Sequence, residues 1–199
     1  MSVSFEFDPD KTVAATFYIV SKKLPELTMA KLFKLLYFSD KDHLVRYGRP
    51  ITGDCYVAMK DGPVPSNLYD LFKEIRNRPS SHGGKLLAAS IASDASTFEY
   101  PRLIPTGTLD PMQLSVSDIS SLDRIVEEYG RMTFLRLRTI THDTPAWENA
   151  WESRPPEATS NKMSFEDFFE DDANAIVGAK EEMIETFALK MALDDPPIF

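Results

Sequence analysis

Apolar residues recur every three or four positions along several stretches of the chain, and this spacing is typical of amphipathic helices. The clearest stretch lies between residues 29 and 47, where one helix face carries Met29, Leu32, Phe33, Leu36, Leu44 and Tyr47. Thr28 is a candidate N-cap for this helix. Gly48 predicts its end, and Pro50 prevents it from resuming.

Shorter periodic stretches predict further helices on both sides of this one. They cover residues 12–23, 65–78, 117–129 and 133–141, and another helix begins at Pro145. Ser117 is the predicted N-cap of the helix that Gly130 ends. The sequence Ser-Ser-His-Gly-Gly at residues 80–84 predicts a flexible loop.

Strand signals are weaker than helix signals. Residues 55–59 form a short β-branched and aromatic run, and residues 97–104 alternate weakly between apolar and polar. We expect these two segments to pair. The Gly-Pro-Val-Pro sequence at residues 62–65 predicts a rigid turn. The resulting fold class is α+β, a mostly α-helical domain with a small antiparallel β-sheet, followed by a C-terminal helical extension.

The C-terminal part is set apart by a pair of prolines and by its charge. Pro155 and Pro156 end the preceding helical pattern, which predicts a domain over residues 1–156 and an acidic helical extension over residues 157–199. The extension has eleven acidic and three basic residues, a balance of −8 out of the total charge of −9. Such a segment repels nucleic acid and favours a basic partner.

Aromatic and other apolar residues recur within this extension. Phe168 and Phe169 lie in a short acidic segment, and a helix from about residue 175 to residue 193 carries a stripe of Ile176, Met183, Phe187 and Met191. The stripe either packs back on the domain or grips a basic partner in a groove. These six residues are candidates for partner binding, and we predict that the segment from residue 164 onward contributes to it.

Length and composition set limits on the class of protein. The chain has 199 residues, of which 43% are hydrophobic, so it can bury one real core. It has no apolar run of about 18 residues, and we therefore expect no membrane span. The acidic first residues do not resemble a secretory signal, and Cys55 is the only cysteine. We expect a cytoplasmic protein with a packed thiol.

Two histidines lie beside carboxylates. Asp40 and His43 share the apolar stripe of residues 29–47, three positions apart, and His142 precedes Asp143. If the fold brings Asp40, His43 and His142 together, they form either a structural polar network or a metal or acid–base site. The structural network is the preferred interpretation, because the chain has no HExxH motif, no Cys pair and no nucleophile elbow. We expect no cofactor.

Four further residues have both a structural and a functional interpretation. Arg49 and Asp54 flank the glycine-containing connection after residue 47, which is either a tight turn or a loop presented to a partner. Trp147 and Trp151 share a helix face and either pack in the core or form an interface anchor. The arginine cluster before His142 (Arg131, Arg136 and Arg138) is too small to predict nucleic-acid binding.

Two segments of the chain resemble a known family. KLFKLLYFSD, a histidine three residues later, YGRPITGD and GPVPSNLYD occur in order, and LRLRTITHDTPAWENAW follows at residues 135–151. Together they resemble the Panacea domain of the SocA-like antitoxin family over roughly residues 12–155. The resemblance implies a prokaryotic or phage antitoxin that binds and neutralises a toxin directly; some such proteins act as adaptors that deliver the partner to a protease.

Three function classes remain open at this point. The preferred one is a protein-binding module, not an enzyme, with a toxin of basic surface as its partner and with no membrane or direct nucleic-acid contact. The second is an enzyme that uses Asp40, His43 and His142, and the third is a DNA-binding regulator.

Overall fold

The computed structural model describes residues 3–94, 101–108, 113–170 and 175–194. The elements in chain order are α1 (Pro9–Ser21), α2 (Met29–Tyr47), β1 (Tyr56–Met59), β2 (Gly62–Pro65), α3 (Ser66–Asn77), α4 (His82–Ser90), β3 (Ile91–Asp94), β4 (Arg102–Pro105), α5 (Val116–Tyr129), α6 (Phe134–His142), α7 (Pro145–Glu152), β5 (Ser160–Lys162), a 3₁₀ turn (Glu166–Phe169) and α8 (Ala179–Asp194). The α+β prediction is confirmed, with helices dominant and two small antiparallel sheets. Within the described ranges, no helix has the length and hydropathy needed to cross a membrane.

Helix α2 runs through the centre of the core and packs against α1, α5, α6 and β2. Leu32 and Leu35 have no exposed surface. The Oγ1 of Thr28 accepts a backbone hydrogen bond from the first turn at 3.3 Å. Gly48 ends the helix in the left-handed conformation with a φ of 72°. Both predicted ends of this helix are therefore confirmed.

A three-stranded sheet with the order β2-β1-β5 lies beside α2. Val57 of β1 is opposite Val64 on one side and Lys162 on the other. The prediction of a turn over residues 62–65 is wrong, because these residues form an edge strand, where proline is tolerated. A side chain at Gly62, whose φ is 98°, would lie 2.7 Å from the Oγ1 of Thr141, so this position requires glycine.

The second sheet pairs β3 with β4, with Ala92 opposite Ile104. The predicted pairing of residues 97–104 with residues 55–59 is wrong for the part that the structure describes, and residues 97–100 lie outside it. Both edges of β1 are already occupied by β2 and β5, so β4 pairs with a different strand.

Helix α4 begins where the composition predicts a loop, and that prediction is wrong. The Oγ of Ser81 caps the helix by accepting the Gly84 N–H at 3.0 Å. A side chain on Gly83 would lie 2.9 Å from the Cβ of Pro9 and 3.1 Å from Leu71. The glycines therefore allow α4 to approach α1 and α3 closely, and this packing overrides their low helix propensity.

Two helices begin earlier than predicted because side chains that precede them cap their first turns. Helix α1 begins at Pro9, since the side chain of Asp8 accepts the Lys11 N–H at 2.9 Å. Helix α5 is capped by Ser115 and not by Ser117. Ser115 and Asp118 each accept the other's backbone N–H, which forms a capping box.

The core continues past the boundary at residue 156 that the sequence indicates. Strand β5 completes the first sheet, and Met163, Phe165 and Phe168 are at most 3% exposed. Helix α8 begins at Ala179, four residues later than predicted, and packs on α2. The N–H of Ile176 also donates to the carbonyl of Val45 at 3.2 Å.

Candidate functional site

Asp40 is fully buried and organises the connection that follows α2. Its carboxylate accepts the backbone N–H groups of Ile51 and Thr52 at 2.8 and 3.0 Å. The hydroxyls of Thr52 and Tyr56 also donate to it. Burial raises the pKa of Asp40, and these hydrogen bonds counter part of that rise. Asp40 therefore fixes the conformation of residues 51–56.

His43 takes its carboxylate partner from α5 and not from Asp40. Its Nδ1–H donates to the carbonyl of Arg49 at 2.7 Å. Its Nε2 lies 3.1 Å from both the Oγ of Ser117 and the Oδ1 of Asp118. One imidazole thus joins α2, the connection after it and the start of α5.

Asp118 is the centre of this second network, and the sequence interpretation did not identify it. Lys11 Nζ and Arg49 Nη2 lie 2.9 and 3.2 Å from its carboxylate oxygens. Burial raises the pKa of Asp118, but hydrogen bonds from His43, Lys11 and Ser115 outweigh it and hold the pKa well below its usual range. The Ser-Val-Ser-Asp sequence at residues 115–118 was an available signal, since it is a capping-box pattern.

Asp54 is buried, although the sequence interpretation allowed it to be presented to a partner together with Arg49. Its two carboxylate oxygens accept the N–H groups of Asn67 and Leu68 at 2.9 Å and so cap α3. Burial raises the pKa of Asp54 to about 6, with a smaller contribution from the charge of Asp40. The Arg49 side chain remains 42% exposed, so only Arg49 of this pair is accessible to a partner.

His142 lies in a separate stack and does not join Asp40 or His43. Its ring stacks on Trp147 with centroids 3.8 Å apart, and Trp147 stacks on Trp151 at 5.4 Å. The guanidinium of Arg154 lies 3.6 Å from the centre of the Trp151 ring. Burial lowers the pKa of His142, and the charges of Arg138 and Lys34 lower it further. Among the described residues, no group of three or more His, Cys, Asp or Glu side chains is placed to hold a metal ion.

The aromatic candidates divide into buried and partly accessible residues. Trp147 is 7% exposed and its Nε1–H donates to the carbonyl of Met59 at 3.1 Å. Phe168 is 1% exposed and packs edge-on against Tyr37. Trp151 and Phe169 are only partly buried against the core. Trp147 and Phe168 therefore stabilise the domain, and the other two retain surface that a partner can contact.

Helix α8 has an inward and an outward set of apolar side chains. Ala179 and Met183 are buried, and Phe187 packs partly against the core. Of the nine large apolar side chains that are exposed among the described residues, five lie between residues 176 and 191: Ile176, Val177, Ile184, Leu189 and Met191. We call these five residues the α8 surface. A concentration of exposed apolar side chains of this kind is typical of an interaction site.

A groove of about 530 Å³ runs between α8 and the end of α2. Four of the candidate partner-binding residues line it, namely Arg49, Ile176, Met183 and Phe187. Tyr47, which is 48% exposed, lines it as well. The fold thus brings Arg49 into the same region as the apolar stripe, which lies more than 120 residues later in the sequence.

Comparison with known protein families gives a match over much of the chain. The family model described as "Antitoxin SocA-like, Panacea domain" matches residues 32–148, which is more than half of the chain. The matched region runs from α2 into α7 and contains both central carboxylates, Asp40 and Asp118, whereas Lys11 and α8 lie outside it. No curated protein and no solved structure matches the chain.

Proposed function

We propose that the chain neutralises a partner toxin by direct contact, because it belongs to the family of SocA-like antitoxins with a Panacea domain. The exposure of the α8 surface is the observation that indicates where the toxin binds. Its five exposed apolar side chains lie outside the matched domain, on a segment whose buried side chains Ala179 and Met183 face inward. We assign the contact to this surface and to the groove beside it.

The charge of the same segment supports a basic partner. Glu181, Glu182 and Glu185 are exposed on α8, next to the apolar side chains. Residues 157–199 carry −8 of the total charge of −9. Apolar side chains at an interface slow dissociation, and surrounding charge accelerates association. The toxin therefore has a basic face with an apolar centre.

The test uses co-expression with the product of the neighbouring reading frame. The triple variant I184Q/L189Q/M191Q replaces three exposed apolar residues of the α8 surface with polar ones and leaves the inward face intact. We expect it to lose protection against the toxin and to bind about tenfold or more weakly, mainly through faster dissociation.

The matched control is V116Q/L135Q, which changes two side chains that are 86% and 70% exposed on α5 and α6. It should protect as well as the unchanged chain. Full protection by the α8 triple variant would contradict the assignment of the contact to this surface. The steady-state amount of toxin in the same cells distinguishes blocking, which leaves it unchanged, from delivery to a protease, which lowers it.

A further inference from the structure

A second groove lies between α2, α5 and the connection from α6 to α7, and none of its described lining residues belongs to the groove beside α8. Its volume is about 350 Å³, near the lower end of the usual range for ligand pockets. The lining includes the apolar residues Phe38, Ile125 and Ile140. The rings of Phe38 and Tyr129, which also line it, stack with centroids 4.5 Å apart and planes at 12°. The groove therefore offers an aromatic and aliphatic floor.

The charges around this floor are mostly negative. Four carboxylates line the groove (Asp42, Glu128, Asp143 and Glu170), and Lys41 is the only cation among the described lining residues. The Asp42 carboxylate is neutralised by Arg46 at 2.8 Å and Arg124 at 2.7 Å. The other three carboxylates are exposed and have no ion-pair partner in the part of the chain that the structure describes. Three exposed carboxylates without an ion-pair partner among the described residues thus line a groove with an apolar floor.

We propose that this groove receives an arginine side chain from the basic face of the toxin, a step that rests on the antitoxin role proposed above. A guanidinium group matches both features of the groove. Its planar face stacks on an aromatic ring, and its N–H groups bind carboxylates in a fixed fork geometry. The chain already contains one guanidinium stacked on an aromatic ring, that of Arg154, which lies 3.6 Å from the centre of the Trp151 ring. Arginine fits better than lysine because lysine lacks the planar face.

The test compares two triple variants with the same change in net charge. E128Q/D143N/E170Q removes the three unpaired carboxylates of the groove. E127Q/E148Q/E152Q removes three exposed carboxylates on α5 and α7 that do not line the groove. All six positions are exposed, so both proteins should fold like the unchanged chain, which thermal unfolding checks.

The first measurement is an NMR titration of the full chain with Nα-acetyl-arginine amide. We expect saturable chemical-shift changes at Ile125, Tyr129 and Ile140. The affinity for the arginine amide should fall about tenfold in the groove variant and less than about twofold in the control. Nα-acetyl-citrulline amide has nearly the same shape without the charge and should not bind. Shifts without a defined site, equal effects of the two variants, or equal binding of citrulline would each overturn the proposal.

The second measurement repeats the co-expression assay with both triple variants. The groove variant should lose protection while the control retains it. Full protection by the groove variant would show that the toxin does not occupy the groove. Self-association that the groove variant abolishes would instead assign the groove to a second copy of the chain. If the unchanged chain fails to protect although arginine amide binds the groove, the antitoxin role fails and the groove stands as an arginine site.

Discussion

His43 shows how one residue connects three parts of the fold. Replacing it with alanine removes the hydrogen bonds to Arg49 and Ser117 and leaves Asp118 without one of its partners. We expect H43A to lower the free energy of unfolding by about 1–3 kcal/mol, the usual result of leaving a buried polar group unsatisfied. Urea denaturation measures this.

His82 provides a control for the same substitution. Its side chain is 70% exposed and pairs with Asp10 at the surface, so H82A should change the stability by less than about 0.5 kcal/mol. If H43A instead keeps full stability and loses toxin neutralisation, His43 has a functional role and the structural assignment is wrong.

Lys34 makes stability depend on pH. Its ammonium is buried and donates to the carbonyl of Pro63 at 2.8 Å. Burial lowers the pKa of Lys34 from 10.5 to about 7, although Asp61 opposes the shift. Between these two values the unfolded chain holds a proton that the folded chain has released, so this residue makes stability rise with pH.

The substitution K34M tests this effect because methionine keeps much of the volume without the charge. The stability of K34M relative to the unchanged chain should be greatest below pH 7 and should decline as the pH rises towards 10. The control K85M, at an exposed position, should show no such trend. Denaturation curves measured across this pH range test the prediction. A difference in stability between K34M and the unchanged chain that stays constant with pH would contradict the pKa assigned to Lys34.

Sequence reasoning at the residue scale located Asp40 and His43 on the buried face of α2 but could not give their partners. A spacing of three residues on a helix permits a hydrogen bond, yet each side chain points to a different neighbour in the fold. The partner of His43 lies on a helix more than 70 residues later. Periodicity along one helix carries no information about such a distant partner.

At the scale of elements, strand β5 and the residues after it link the C-terminal segment to the core. A chain that ends at Pro156 loses β5, α8 and the buried side chains that follow, of which Met163, Phe165, Phe168 and Met183 are large. Each such side chain contributes about 1.5–3 kcal/mol, and domains of this kind have only about 5–15 kcal/mol of net stability. We expect this truncated chain to lose cooperative thermal unfolding.

A chain that ends at Gly178 is the matched comparison. It keeps β5 and the 3₁₀ turn and loses only α8, whose buried side chains in the described part are Ala179 and Met183. It should unfold cooperatively at a lower temperature and should fail to neutralise the toxin. Neutralisation at the level of the full chain would show that α8 does not contribute to partner binding.

The elements that the sequence predicted correctly are those with a strong local signal. Helix α2 has a long apolar stripe, a threonine cap and a terminal glycine, and the structure follows all three. Strand β5 is Ser-Asn-Lys, which has no apolar alternation, and it forms because the edge of β1 is available for pairing. Helix α4 forms against the preference of its glycines because α1 and α3 pack closely on it.

At the scale of the whole molecule, the distribution of charge is uneven. Residues 1–156 have nineteen basic and twenty acidic residues, so they are nearly neutral. The fold leaves most of the acids of α8 exposed, next to the α8 surface. The sequence alone predicted this separation, since net charge needs no tertiary information. It could not predict which apolar side chains would face outward, because that depends on how α8 packs on α2.

This separation of charge leads to a prediction about association kinetics. If acidic residues of α8 attract a basic toxin, the association rate should fall severalfold as the ionic strength rises from about 0.05 M to about 0.5 M. Dissociation, which depends on the apolar contacts of the α8 surface, should change much less. The variant E181Q/E182Q/E185Q should associate more slowly at low salt and show a weaker dependence on salt.

The control is E26Q/E152Q/E157Q, which removes the same number of charges from exposed positions that line neither groove. Charges near the binding surface act more strongly than distant ones, because at about 0.15 M salt the interaction is screened over about 8 Å. Stopped-flow measurements should therefore show a larger effect for the α8 variant than for the control. Equal effects would mean that only the net charge attracts the toxin, and α8 would then have no special part in the encounter.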